Sequence, residues 1–453
     1  TGGALGRAAG DELSDHSEIR RDLGALFSDE TSDSLIEFVK TREGLEYHTV
    51  ATALPSALIR RLRDTQEQAF TSTVIKLAEL FCKYSQHRNV TAMRNAASML
   101  TRLLPFLFEA GPRLRNLLWS ALLVNTTTTK AAADGRFQDY SVAELMMQSL
   151  TAHMFMTDVC VTKTSADVSP CDNIWSTGVG VTEAAEATAE TMANRRLHLR
   201  LQLTMLACDS RWVEALLQQI DSERSLAVFT SLLNTAVSPP HDADTAAEVK
   251  KLSLHVLIVS VTFDKTLRSR NTFAEYISRI HTPRDLDFML LHYHRMLCPA
   301  SSWLLWDRAR SDGGRQEAMM MLYVTCRFNP RFMDHLIQSD MLTDVLVDVL
   351  TEMVGCSGIL GVQDGVNIAI HVSCYLVLLL STERNFGVRL NKRLDAAPEL
   401  SKRLGIPGHA THADMLVLAI NAVICSRAFL ISLANYLKAA MSLSETNKSR
   451  VRA

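Results

Sequence analysis

The chain has 453 residues, 47% hydrophobic and 21% charged, with a formal net charge of −2. That length suffices for two or three ordinary domains or one extended array, and the near-neutral balance excludes a broad nucleic-acid surface, which needs a basic excess. Gly (19) and Pro (11) are about 4% and 2% of the chain, against roughly 7% and 5% on average, so long helices with short connections are expected.

Residues 1–30 are small and polar and read as a mobile N-terminal segment. From residue 31 onward, helix starts recur. A capping box pairs a hydroxyl with a carboxylate three residues on, and the two satisfy free amides reciprocally. Ser34/Glu37, Ser141/Glu144, Thr245/Glu248 and Thr272/Glu275 have that form. Gly111-Pro112, Thr282-Pro283-Arg284-Asp285 and Asn329-Pro330 place Pro at the first helical position, where its missing N–H costs nothing. Between these starts, Trp212, Val213, Leu216, Leu217 and Ile220 form one helical stripe. Leu286, Met289, Leu290, Tyr293 and Leu297 form a second, and Leu342, Val345, Leu346, Val349, Leu350 and Met353 a third. Loops are expected near 125–140, 161–190 and 382–410, where Thr, Ser, Ala or basic residues interrupt the periodicity, and 449–453 reads as a tail.

About 15 helices result, and no run alternates as a half-buried strand would. The expected fold is all-α: one helical domain over 31–448, built as an irregular armadillo/HEAT-like solenoid or a large multi-helix array, since no clean repeat period is present. The longest apolar stretch, Val366 to Leu380, is shorter than the roughly 20 residues of a membrane span and holds Asn367, His371 and Ser373, so a buried helix is expected. Nine scattered Cys without a C-x-x-C pair argue against a disulfide framework or structural zinc and fit a reducing compartment. The sequons at Asn89, Asn125 and Asn447 read as chance matches in a cytosolic chain.

Catalytic signatures are absent: no phosphate loop, no nucleophile elbow and no H-E-x-x-H. Gly355, Gly358, Gly361 and Gly365 read as a loop between helices rather than a phosphate cradle. His292 and His294 point about 200° apart on one helix, so with Cys298 they do not converge on a metal. His409, His412 and Asp414 admit a metal-site reading, but Thr411 and Asp414 equally spell a capping box before the apolar run Met415 to Ile420. Trp303 and Trp306 read as core before partner surface, and Met319, Met320 and Met321 as part core and part surface. No catalytic, metal or cofactor residue is assigned.

The segment STERNFGVRLNK at 381–392 is the most distinctive. Arg384, Arg389, Lys392 and Arg393 gather four cations around Glu383, at the C-terminal end of an apolar helix where the dipole favours positive charge. Two readings stand. One is a solvated loop that caps the helix and buries Phe386; the other is a contact for an acidic partner or an anionic lipid headgroup.

Those residues resemble the central motif of the high-temperature-induced dauer-formation protein family, relatives of dymeclin, through Glu383, Asn385, Phe386, Gly387 and Asn391. Other blocks resemble it in the same order. They are Met99 to Phe106, Ile174-Trp175 with Gly178-Val179-Gly180, Phe229 to Thr235, Tyr276 to His281, and Thr411-His412-Ala413-Asp414. The resemblance implies a non-enzymatic scaffold, peripheral on the cytosolic face of the Golgi or trans-Golgi network. Its implied role is in secretory cargo sorting and dense-core granule biogenesis, with proteins of the Golgi secretory machinery as partners. It implies no cofactor, nucleic acid or small-molecule substrate, and its motif residues are candidates for packing or partner contact. Family members usually run longer than this chain, and lipid-anchored ones begin Met-Gly where this chain begins Thr1-Gly2.

Overall fold

A computed structural model describes residues 32–42, 45–87, 89–123, 140–156, 159–160, 188–218, 222–237, 244–263, 271–297, 314–356, 368–394 and 410–425. The expectations for 1–30, Trp303, Trp306, Cys298, His409, the 449–453 tail and most of the 125–140 and 161–190 loops lie outside these residues. The fold is all-α: twenty helices among the described residues, plus one two-residue antiparallel pair, β1 (Leu122–Leu123) with β2 (Tyr140–Ser141). The helices fall into two compact units, residues 1–236 with 240–273, and 237–239 with 274–453, where the sequence suggested one helical domain.

The first unit holds α1 (Ser32–Thr41), α2 (Tyr47–Ala53), α3 (Ser56–Thr65), α4 (Glu67–His87), α5 (Val90–Glu109), α6 (Pro112–Arg115), α7 (Leu117–Ser120), α8 (Val142–His153), α9 (Ala189–Cys208), α10 (Ser210–Gln218), α11 (Ser222–Val237) and α12 (Asp244–Thr262). Its spine is α5, which packs on α4 and α9, while α9 packs in turn on α12. α5 buries fourteen of its residues, from Ala92 to Phe108. Gly111 enters α6 at φ +101°, a left-handed conformation that a side chain resists, which explains the Gly-Pro start. The core of this unit contains two buried imidazoles. His153 and His198 meet edge to face at 4.9 Å, with Phe81 5.3 Å from His153. Burial pushes His153 down to about 2, and His198 down to about 4 although its ring hydrogen-bonds the Asn194 carbonyl at 2.7 Å.

The second unit holds α13 (Thr272–Arg279, which starts at the boundary), α14 (Pro283–Leu297), α15 (Arg315–Phe328), α16 (Pro330–Gln338), α17 (Met341–Cys356), α18 (Ile368–Leu380), α19 (Arg384–Leu390) and α20 (His412–Ile424). α14 packs on α15 and α17, α15 on α18, and α17 on α18 and α20, so each helix meets neighbours one to three places along the chain. That is the contact pattern of a solenoid-like array. The stripes read from sequence are its core: Leu342, Val345, Leu346, Val349, Leu350 and Met353 are all buried, as are Leu286, Met289, Leu290, Tyr293 and Leu297. α18 differs from a wholly buried helix. Ile370, Val372, Leu376, Val377 and Leu380 are buried, but Tyr375 and Leu378 are 57% and 63% exposed. Among the described residues no helix is long and apolar enough to cross a membrane.

The Ser141/Glu144 box forms with both bonds. Thr282 accepts from the Asp285 amide at 3.2 Å, and Asn329 caps α16 through the Phe332 amide at 3.0 Å. The other three differ. Ser34 lies inside α1. Glu248 turns away to Arg196 and Arg200, and Asn271, not Thr272, accepts from the Phe273 amide, at 3.1 Å. α9 begins at Ala189 under a Thr188 cap, so the last residues of the 161–190 loop are helical.

Three asparagines join helix ends. The Asn95 amide on α5 donates to Val39 and Arg42 carbonyls at the end of α1 (2.9 and 2.6 Å). Asn271 donates to Ser260, Val261 and Phe263 carbonyls at the end of α12 (2.7, 3.2 and 3.0 Å). Asn329 donates to Ile277 and Ile280 carbonyls at the end of α13 (2.8 and 2.7 Å). Carbonyls left over at a helix C-terminus need such donors.

Candidate functional site

The 381–392 segment follows α18 directly. Ser381 and Thr382 fold their hydroxyls back onto the carbonyls of Leu378 and Leu379, both at 2.7 Å, and so satisfy acceptors that the helix leaves open. The chain then forms α19, a seven-residue helix, where the sequence suggested a loop over 382–410. The helix forms because Phe386 has a hydrophobic seat: its ring is 2% exposed, in a helix that packs against α16 and α20. Burying an aromatic outweighs the roughly 1 kcal/mol propensity penalty of Gly387 and the absence of a side-chain N-cap at Glu383. Gly387 is in ordinary helical backbone, and a Cβ there would meet nothing within 4 Å.

The four cations split into two pairs. The Arg389 guanidinium donates to the Gln338 carbonyl at the end of α16 and approaches Asp340 at 3.4 Å. Lys392 reaches the same Asp340 carboxylate at 3.3 Å. Both therefore hold the turn between α16 and α17. Arg384 and Arg393 are exposed. Asn385 is also exposed, and Asn391 makes a long amide contact to the Gly387 carbonyl at 3.4 Å.

The second motif, Thr411 to Asp414, closes on the first. Residues 392–394 and 410–412 run antiparallel through an Arg393–Thr411 bridge, with Leu394 donating to the Ala410 carbonyl at 2.9 Å. His412 is 3% exposed and grips the Lys392 carbonyl twice, through its backbone amide at 3.2 Å and its Nδ1–H at 3.0 Å. Thr411 and Asp414 form both bonds of a capping box at the start of α20. His412 is thus a structural donor and Asp414 a cap. Among the described residues, no three His, Cys, Asp or Glu side chains come together as metal ligands. His292 is likewise bonded to the Phe288 carbonyl at 2.7 Å.

The two motifs, separated by 18 residues, are therefore one joint that fixes the ends of α16, α18, α19 and α20. Asp340 and the Gln338 carbonyl are the members that sequence reasoning missed. Asp340 lies 49 and 52 residues from its partners, and no local pattern marks an exposed Asp between two helices as their counter-ion.

A family model described as "High-temperature-induced dauer-formation protein" matches residues 49–451, which includes this joint. The chain is similar to Protein HID1 of Homo sapiens, 26% identical over 445 residues, covering 83% of this chain and 54% of the relative. Protein HID1 of Mus musculus is 25% identical over 443 residues, with the same coverage. The chain thus spans about half the length of the curated relatives it matches. No solved structure matches it. The chain belongs to the high-temperature-induced dauer-formation protein family.

Proposed function

We propose that this chain is a non-enzymatic scaffold, peripheral on the cytosolic face of the Golgi or trans-Golgi network, that serves secretory cargo sorting and dense-core granule biogenesis with proteins of the Golgi secretory machinery. Family membership motivates the reading, and one structural observation carries it furthest. Polar groups of the family motifs join helix ends, while Arg384, Asn385, Val388 and Arg393 are each exposed and available to a partner. Neither the family description nor the relatives' names state an enzymatic activity. A tagged full-length protein should co-fractionate with Golgi membranes. A folded, expressed protein without Golgi enrichment would refute the proposal.

A second reading makes the same face an anionic-lipid contact. Arg384 and Arg393, both exposed, supply its cations; Arg389 and Lys392 already face Asp340. Arg384→Glu with Arg393→Glu should then abolish sedimentation with phosphatidylserine vesicles, whereas undiminished sedimentation would leave the scaffold reading alone.

A further inference from the structure

The first unit contains a cavity, lined by three arginines and Glu46, that the motif joint does not involve. It has a volume of about 170 Å³ and lies where the start of α2 meets α5 and α9. α9 supplies Ala193, Arg196, Leu197 and Arg200, spaced i, i+3, i+4 and i+7, so one helix face sends two guanidiniums into it. α5 adds Arg94 and Ser98, one turn apart, and Leu45 to His48 close the remaining side, with the Tyr47 ring 4.7 Å from the Arg200 guanidinium.

Three glutamates surround these arginines, but they leave donors open. Arg200 is held by Glu248, which also lies 3.4 Å from Arg196. Arg94 reaches Glu190 at 3.6 Å and Arg196 reaches Glu46 at 3.9 Å, both too long for hydrogen bonds. A guanidinium carries five N–H donors in a planar fork. The charges are roughly balanced, but each of the three arginine side chains is 28% exposed, so donors remain available to a ligand.

Ser98 points independently to a ligand. It lines the cavity, is 0% exposed, and its Oγ has no hydrogen-bond partner among the described residues. A buried hydroxyl without a partner is destabilising, so its presence beside three guanidiniums calls for an acceptor. A tetrahedral oxyanion with several acceptor oxygens satisfies the hydroxyl and the arginine forks together. A cavity of about 150 Å³ accommodates benzene, so this one has room for a phosphoryl group with a short substituent.

We propose that this cavity binds a phosphomonoester, with Arg94, Arg196 and Arg200 as the charged donors and Ser98 as the neutral donor at its floor. The test is calorimetry on the purified full chain with inorganic phosphate and with glycerol phosphate, followed by sedimentation with phosphatidylcholine vesicles with and without phosphatidic acid. Both soluble anions should bind. Arg94→Gln should weaken them about tenfold or more, because it removes a charge-assisted donor. Ser98→Ala should weaken them by about threefold while the thermal midpoint of the anion-free protein stays level or rises, since no existing bond is lost and a buried unpartnered hydroxyl is removed. Ser98→Ala therefore decides the matter if Arg94→Gln disturbs the fold. Phosphatidic-acid-dependent sedimentation that Arg94→Gln abolishes assigns a lipid headgroup; soluble binding without sedimentation assigns a free phosphomonoester. Failure of wild type to bind either soluble anion, or equal affinities in wild type and both variants, overturns the proposal.

Discussion

Phe386 and Gly387 are neighbours in the motif but obey opposite physics. Phe386 is 2% exposed between α16 and α20, so Phe386→Ala should cost about 3–5 kcal/mol, read as a fall in the urea midpoint at unchanged m-value. Gly387 occupies exposed helical backbone with open space where a Cβ would sit, so Gly387→Ala should stabilise by about 0.5–1 kcal/mol. If Gly387→Ala is stable yet abolishes function, glycine is required there by a partner's approach and not by the fold. At this scale much was legible: the Thr411/Asp414 cap and the burial of Phe386 follow from residue type and spacing. The roles of Asp340 and His412 were not, because each depends on a contact that chain topology supplies. Two His and an Asp within six residues suggested a metal as readily as it suggested one imidazole bonded to a carbonyl 20 residues away.

Among the helices, periodicity was the reliable guide and capping the uneven one. An i, i+3, i+4 stripe records burial directly, so α14 and α17 bury the residues their patterns named. A capping box competes with every other acceptor in reach. Glu248 illustrates the failure, since two arginines on α9 outbid the start of its own helix. α19 was read as loop because it is short, basic and carries a glycine; tertiary burial of one ring decides otherwise. The asparagine joints belong to this scale too. Asn329 donates to two carbonyls and accepts one amide, so Asn329→Ala should cost about 2–4 kcal/mol by leaving those buried groups without partners. Asn329→Asp should be worse, as a carboxylate turns both donations into repulsion while keeping the cap. Hydrogen exchange at the end of α13 checks this, with faster opening in Asp than in Ala.

For the whole molecule, sequence reading reached the all-α class and the family, because both rest on patterns spread along the chain. The sequence reading kept 31–448 as one helical domain, although Ser238-Pro239-Pro240 falls where the two units meet along the chain. The buried imidazole pair shows what such hidden packing decides. In the unfolded chain each ring takes a proton near pH 6.5, but in the first unit His198 resists until about 4 and His153 until about 2. The unfolded state therefore binds protons first, and the contribution of the pair, complete above about pH 6.5, falls as the medium acidifies by up to about 1.4 kcal/mol per histidine per pH unit. Urea midpoints taken between about pH 7 and pH 5 should decline, and His198→Leu should remove about one proton from that slope; an unchanged slope would refute the assignment. Two rings held neutral inside the core thus set the acidity range in which the first unit survives.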